Sequence, residues 1–438
     1  MYRISADKTG FIQDKTGEAF VPFGVNYYDH QTGWAPKIWS QFNEKRVREQ
    51  FWMMKRYGVN IARVFTAHKE FMDANYHLRP DTIAKFDKLI EIAAETGIAL
   101  MPTGPDHWEG APAFPVEDFF CDPNYLEALK VFWSEMGARY KDCETIFAWD
   151  LRNEPEIRWD TAPMREGWVP FLKQKYGCEK QLADAWGDEL DPSESLAEGN
   201  VAIPEDVFDE NNPRLFDYQM YRESIAYRWT KIQVDAIRAA GDTHMITIGY
   251  IQWSFPGVNG HGKPSGYAAF RPRELAPLLD FDAPHFYPVL GDPIKPDKKR
   301  AAIRYLRDWV CYCELSRPVM LQEYGWYGGG AVSENQPYRS PENQADWNRQ
   351  VIETTRGLAV GWLSWPLADT PGSTDLSRFG GLVTEDCQPK LWGEVFKDLA
   401  AELTAKQPPQ SEERVPFTYD ADAFRKVLTT DGNSDLYL

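Results

Sequence analysis

Apolar residues along this chain fall into two alternating rhythms. Short runs that are apolar at nearly every position, at about 21–28, 59–65, 98–104 and 146–151, predict strands buried on both faces. Between them, apolar residues recur every third or fourth position. Val47, Phe51, Met54 and Tyr57 mark a helix over about 43–57 closed by Gly58; further helices are predicted at about 80–96, ended by Gly97, and at about 123–141. A long segment, 156–214, then interrupts the rhythm with a helical hairpin carrying Trp168, Phe171, Leu172, Tyr176, Leu182 and Trp186. The alternation resumes with a helix over about 215–240 stopped by Gly241. Strands follow at 245–250, 283–287, 318–323 and 361–365, with helices at about 297–315, 341–357 and 391–404. Ahead of all this, 2–20 reads as short strands joined by turns at Lys8-Thr9-Gly10 and Lys15-Thr16-Gly17, a lid for the bottom of a barrel.

Eight strands alternating with helices predict an α/β fold of the (β/α)8 TIM-barrel type, with long insertions in the βα loops after strands four (156–214), five (251–275), seven (326–340) and eight (366–390). A doubly wound sheet is the alternative. It would carry a glycine-rich nucleotide loop after the first strand, and the sequence has none there. The barrel is expected to take residues 1–404. A C-terminal extension, 405–438, opens with the linker-like Gln407-Pro408-Pro409 and ends in a stretch too short for a domain.

The formal charge of −18 argues against nucleic acid and anionic membranes as partners, since both call for clustered Lys and Arg. The opening Met1-Tyr2-Arg3-Ile4-Ser5-Ala6-Asp7 lacks a basic segment followed by an apolar one, and no apolar run approaches a membrane span. A cytoplasmic location is expected on that basis, with the six scattered cysteines as buried free thiols. The sequence leaves oligomeric state open.

Candidate chemistry collects where the strands end. The fourth strand runs Ala148-Trp149-Asp150-Leu151-Arg152 and stops at Asn153-Glu154-Pro155; the seventh runs Met320-Leu321-Gln322 and stops at Glu323-Tyr324-Gly325. Carboxylates at the ends of buried strands are costly unless they serve a purpose, and two of them suit a site that uses paired carboxylates. The other strand ends supply Arg63, then Asp106, His107 and Trp108, then Tyr250, Gln252 and Trp253, then His285 and Tyr287, then Trp326, and finally Trp365. In a barrel these converge on one pocket. Singly each has a plainer explanation: Arg63 as a structural ion pair, His107 and His285 as core histidines, Trp253 and Trp326 as hydrophobic plugs. No HExxH motif, no Cys/His pair at ligand spacing and no serine or cysteine triad motif is present, so neither metal nor cofactor is expected.

In strand order, these residues resemble glycoside hydrolase clan A, and family 5 most of all, over about 20–400. The resemblance implies a retaining β-glycosidase with Glu154 as acid/base and Glu323 as nucleophile, their carboxyl groups ~5–5.5 Å apart. It matches Arg63, His107, His285, Tyr287 and Trp365 to the family's site positions. Arg63 and Tyr287 would hold Glu323 ionised, Asn153 would take the 2-hydroxyl and Trp365 would floor the sugar. The insertion segment from Trp168 to Gly187 is locally similar to clan A β-galactosidases. Long loops and no appended carbohydrate-binding module favour a small oligosaccharide cut from its end. The expectation is an exo-acting β-mannosidase on small β-1,4-linked mannosides such as mannosyl-N-acetylglucosamine. An endo-mannanase or endoglucanase, or a catalytically silent sugar-binding barrel, are the alternatives.

Overall fold

The computed structural model describes residues 1–34, 36–106, 110–187, 190–257, 261–313 and 316–405, together with Lys426, Leu428 and Thr430. Three short strands, β1 (Tyr2–Ile4), β2 (Phe11–Gln13) and β3 (Ala19–Phe20), form an antiparallel sheet. Eight parallel strands follow: β4 (Phe23–Tyr27), β5 (Ile61–Ala67), β6 (Ala99–Asp106), β7 (Ala148–Asn153), β8 (Met245–Tyr250), β9 (Ala283–Phe286), β10 (Leu321–Tyr324) and β11 (Trp362–Ser364). They close in the order β10-β11-β4-β5-β6-β7-β8-β9, which is the predicted (β/α)8 barrel.

The longer helices are α1 (Glu44–Arg56), α2 (Pro80–Thr96), α3 (Pro123–Tyr140), α4 (Ala162–Tyr176), α5 (Glu179–Trp186), α6 (Pro213–Ala239), α7 (Pro296–Tyr312), α8 (Pro341–Thr355) and α9 (Leu391–Leu403). Local chemistry starts most of them. Proline occupies the first turn of α2, α3, α4, α6, α7 and α8, where its missing N–H has no partner to lose. Asn43, Asp122, Asn212 and Ser340 cap α1, α3, α6 and α8 with side-chain acceptors. Gly97 ends α2 in the left-handed conformation at φ +67°. The insertion holds the expected hairpin, α4 and α5, packed against α6.

The N-terminal sheet plugs the barrel floor. Tyr2, Phe11 and Phe20 set their rings against Phe147, with centroids 5.4, 5.0 and 5.6 Å away, and Phe11 also meets Phe281 at 5.1 Å. These rings join Ile61, Met101, Met245, Met320 and Leu363 in a separate apolar cluster. With the bottom closed, the free strand ends point up into an open mouth.

Some boundaries shift. β5 runs on to Ala67, while β10 and β11 shrink to four and three residues, because pairing with curved neighbours, not apolarity, sets where a ladder ends. All six cysteines are free, but only Cys313 is buried and Cys178 is exposed, so the expectation of uniformly buried thiols fails for the rest. Most of the extension lies outside the described residues; Leu428 is buried and Lys426 pairs with Glu210 at 3.5 Å. Among the described residues no helix is long and apolar enough to cross a membrane.

Candidate active site

Arg63, fully buried on β5, is the centre of the site. Its Nε and Nη2 donate to Asp150 Oδ2 at 2.9 and 2.8 Å, and Nη1 to Asn26 Oδ1 at 2.9 Å and to Glu323 Oε1 at 2.5 Å. Nη2 also donates to Asn153 Oδ1 at 2.9 Å. A guanidinium with no access to water needs this many acceptors, and two carboxylates balance its charge. Burial alone would lower its pKa; Asp150 and Glu323 outweigh that and raise it.

Glu323 is almost fully buried at the end of β10. Besides Arg63 it accepts from Tyr287 Oη, 2.8 Å from Oε2, and it faces His285 Nδ1 at 3.5 Å. Burial pushes its pKa above the ordinary carboxylate range, opposed by His285, Arg63 and the Tyr287 hydroxyl. The Tyr287 hydroxyl stays a neutral donor, since burial first and Glu323 second lift it well above its usual value.

Glu154 stands opposite, its side chain 21% exposed. It has a φ of +45°, unusual for a residue with a Cβ, and its N–H donates to Gly249 O at 2.9 Å. Its Oε1 lies 2.9 Å from His285 Nδ1. The imidazole, completely buried, also reaches Gln322 Oε1 through Nε2 at 2.8 Å. Burial lowers the His285 pKa, but Glu323 and the bond to Glu154 outweigh it and the net movement is upward.

One oxygen of Glu154, one oxygen of Glu323 and a ring nitrogen of His285 all lie within 4.8 Å of one another. A cation could in principle be held by such a trio. Here both Glu323 oxygens are already engaged by Arg63 and Tyr287, so the donor set suits organic chemistry better than a metal.

The cleft above has a volume of about 860 Å³. Glu154, Glu323, Asn153, Tyr287 and Trp365 line its inner end; Tyr28, Trp34 and Lys37 from the loop after β4, with 370–377 from the loop after β11, wall the rest. Trp365 lies against Tyr28, Trp34 and Phe65, at centroid distances of 5.5–5.8 Å, with its Nε1 tied to Ser377 Oγ at 2.8 Å.

The structure therefore brings together Arg63, Asn153, Glu154, His285, Tyr287, Glu323 and Trp365. Trp253 is not part of the cleft lining and donates its indole N–H to Glu156, a carboxylate that feels the charge of Glu154. Trp326 is buried beside Tyr327, outside the cleft lining. Tyr250 is core, and the Gln252 side chain accepts from the Tyr287 backbone N–H at 2.7 Å. His107 and Trp108 lie outside the described residues, as does the Asp106 side chain.

Asn26, Asp150 and Gln322 join the network although only strand ends were singled out from the sequence. The available signal was a polar residue inside an otherwise apolar strand. Irregular pairing hid the rest. The register of β7 against β8 shifts between Asp150 and Asn153, so both face Arg63 although three residues apart, while Arg152 turns outward to Tyr125.

Comparison with known proteins places the chain among glycosidases. A family model described as β-galactosidase, Glyco_hydro_42, matches residues 117–354. "Probable mannan endo-1,4-beta-mannosidase C" of Aspergillus terreus is 30% identical over 115 residues, 24% of this chain and 27% of that one. The β-galactosidase BgaA of a Thermus species is 25% identical over 328 residues, 69% of this chain and 47% of that protein. The chain thus spans about a quarter to a half of these relatives' length. Among solved structures, the exo-β-1,4-mannosidase from Opitutaceae bacterium strain TAV5 superposes with a TM-score of 0.64 at 18% identity, covering 92% of this chain and 62% of its own. A GH5_18 protein from Streptomyces cattleya, in complex with Manb1-4GlcNAc, gives 0.66 at 16% identity, covering 94% and 88%. These two likenesses are of fold. The clan A resemblance stands, with mannosidase relatives on its family 5 side. With a model match over more than half its length, the chain belongs to the Glyco_hydro_42 β-galactosidase family, within clan A of the glycoside hydrolases.

Proposed function

We propose that this protein is a retaining exo-β-glycosidase acting on small β-1,4-linked mannosides. The observation that carries the mechanism is the approach of Glu154 and Glu323 oxygens to within 4.8 Å. That is close to the ~5–5.5 Å of retaining enzymes and well short of the ~6.5–9.5 Å that inverting enzymes need to admit a water.

In the first step a Glu323 oxygen attacks the anomeric carbon while Glu154 gives its proton to the leaving glycosidic oxygen. The bond to the aglycone breaks as the glycosyl ester forms. In the second, Glu154 takes a proton from water, the resulting oxygen attacks the same carbon, and Glu323 leaves as a carboxylate. Arg63 and Tyr287 hold both Glu323 oxygens and so keep it aimed. Because Arg63 occupies Asn153 Oδ1, the amide NH₂ of Asn153 is left as a donor for a sugar hydroxyl, the 2-hydroxyl in this reading. Trp365 offers its face to the ring. His107 is assigned to substrate contact on resemblance and Trp108 on its place in the sequence just after β6; Trp253 and Trp326, which do not line the cleft, are given no substrate role.

End-on cleavage draws on the long loops that carry Trp34, Lys37 and 370–377 into the lining of the cleft. Mannoside preference draws on the mannan mannosidase relatives and the fold neighbours. A second reading, β-galactosidase, is favoured by the matching family model and by the Thermus relative, which aligns over most of this chain.

Hydrolysis of p-nitrophenyl β-mannoside, β-galactoside and β-glucoside, alongside mannosyl-N-acetylglucosamine and mannan, tests all of this. Single mannose units from the small substrates, with mannan intact, are expected. Preference for the galactoside would favour the second reading, mixed oligomers from mannan would make the enzyme endo-acting, and an inverted first-formed anomer would end the two-step mechanism.

A further inference from the structure

Below the two glutamates lies a chain of polar side chains that the two-step chemistry leaves unused. Asp150 Oδ2 accepts from Arg63, from Thr103 Oγ1 at 2.8 Å and from Gln322 Nε2 at 3.1 Å; Oδ1 accepts from the backbone N–H groups of Gly249 at 2.9 Å and Arg152 at 3.3 Å. An ionised carboxylate can only accept. Gln322 must therefore turn its NH₂ toward Asp150, and its carbonyl oxygen then faces His285 Nε2 at 2.8 Å. That oxygen also only accepts, so Nε2 must carry a hydrogen. The proton state of Nδ1, 2.9 Å from Glu154, is what remains variable.

We propose that Asp150 and Gln322 are positioning residues that fix the tautomer of His285 and so set the proton on Glu154. The inference rests on the reading of Glu154 as acid/base. With Nε2 always protonated, neutral His285 presents a bare Nδ1 that accepts the Glu154 O–H and holds the acid form ready. The opposite tautomer would donate from Nδ1 to the Glu154 carboxylate and favour the ionised form, the wrong state for the first step. Glu154 from the end of β7, Glu323 from β10 and Arg63 from β5 are the charged groups that bear on the ring; the two carboxylates draw a proton toward Nδ1 and Arg63 opposes them, so Nδ1 and Glu154 share the one proton that remains variable. β8 contributes an absence: a Cβ at Gly249 would lie 2.6 Å from Gln322 Oε1 and 2.8 Å from His285 Nε2, so glycine there leaves room for this bond.

Gln322→Met tests the assignment. It keeps the length of the side chain but offers Nε2 only a weak thioether acceptor in place of the amide oxygen, and it gives up the Gln322 Nε2 bonds to Asp150 and to Met101 Sδ. Losing that acceptor weakens the hold of the Glu154–His285 pair on its proton. The alkaline limb of kcat/KM should then move about one unit to lower pH, the size one hydrogen bond to a charged group confers. Turnover of substrates with poor leaving groups should fall about tenfold, while formation of the glycosyl-enzyme from activated aryl glycosides, which needs little acid help, should hardly change. ¹⁵N NMR of labelled histidine should show His285 with hydrogen on Nε2 in the native enzyme and a mixture in the variant. Gly249→Ala, which wedges the same bond, should move the profile the same way. An unmoved pH profile in folded Gln322→Met, or a native His285 with hydrogen on Nδ1 alone, overturns the proposal. Glu154→Ala is the control: if it leaves poor-leaving-group turnover intact, the acid/base reading fails, while the NMR result still judges the tautomer by itself.

Discussion

Glu154 occupies a left-handed backbone conformation at φ +45°, immediately before Pro155. A residue with a Cβ holds that conformation at a cost of ~1 kcal/mol or more, which glycine avoids. Both Glu154→Gly and Glu154→Ala should lose turnover of natural glycosides by ~10²–10⁴-fold. The glycine variant should nevertheless resist denaturant better than the alanine one by about 1 kcal/mol. Chemical unfolding of the pair measures this, and equal midpoints would mean that the turn is not strained. At the same scale, Asn153, Glu154 and Glu323 were legible because a charge or amide ending an apolar run stands out, and Arg63 because it is a charge inside one. Asn26, Asp150 and Gln322 sit within or beside the runs themselves, and what marks them is a shared partner, Arg63 or His285, that only folding supplies.

Among elements, the loop after β11 most directly shapes the cleft. Its base is pinned by Lys390 Nζ, which donates to Asp369 Oδ1 at 2.7 Å, to Oδ2 at 3.0 Å and to Phe379 O at 2.7 Å. The pair is largely buried, at 8% and 11% exposure, and burial lifts Asp369 to about 6 even beside the lysine. Lys390→Met leaves that carboxylate buried and unpaired, a change on the order of 3–5 kcal/mol. Thermal unfolding should register it, and KM should rise as 370–377 loosens. Combining it with Asp369→Asn should recover most of the stability; a double variant no better than the single would show that the ion pair is not what holds the loop. Helix positions were well predicted because proline first turns, side-chain caps and Gly97 encode them locally. Strand ends were less so, since ladders stop where neighbours do.

At the scale of the whole molecule, stability should depend on pH through Glu223, on α6 where the insertion meets the barrel. Its carboxyl is buried, accepts from Tyr267 Oη at 2.6 Å and lies 3.7 Å from Arg271; burial, opposed by those two groups, lifts it to about 7 from 4.5. A folded value above the unfolded one means the folded state holds the proton more tightly. Its contribution is fully present below about 4.5 and is lost as pH rises through about 7, a change of about 3 kcal/mol. Glu223→Gln should flatten the stability profile across that window, and an unchanged slope would rule the residue out as its source. The sequence by itself determined the barrel, the helix limits, the floor plug and the two strand-end glutamates, because each follows from short-range apolar periodicity, local caps or a polar residue where a buried run stops. Tertiary structure alone decided the rest. Closing eight strands forces register shifts at Asp150–Asn153 and at Leu321–Tyr324, and these turn residues that a strict two-residue alternation would separate toward one axis. Which side chains then share Arg63, and how near Glu154 comes to Glu323, depend on distances across the barrel that no local pattern in the chain records.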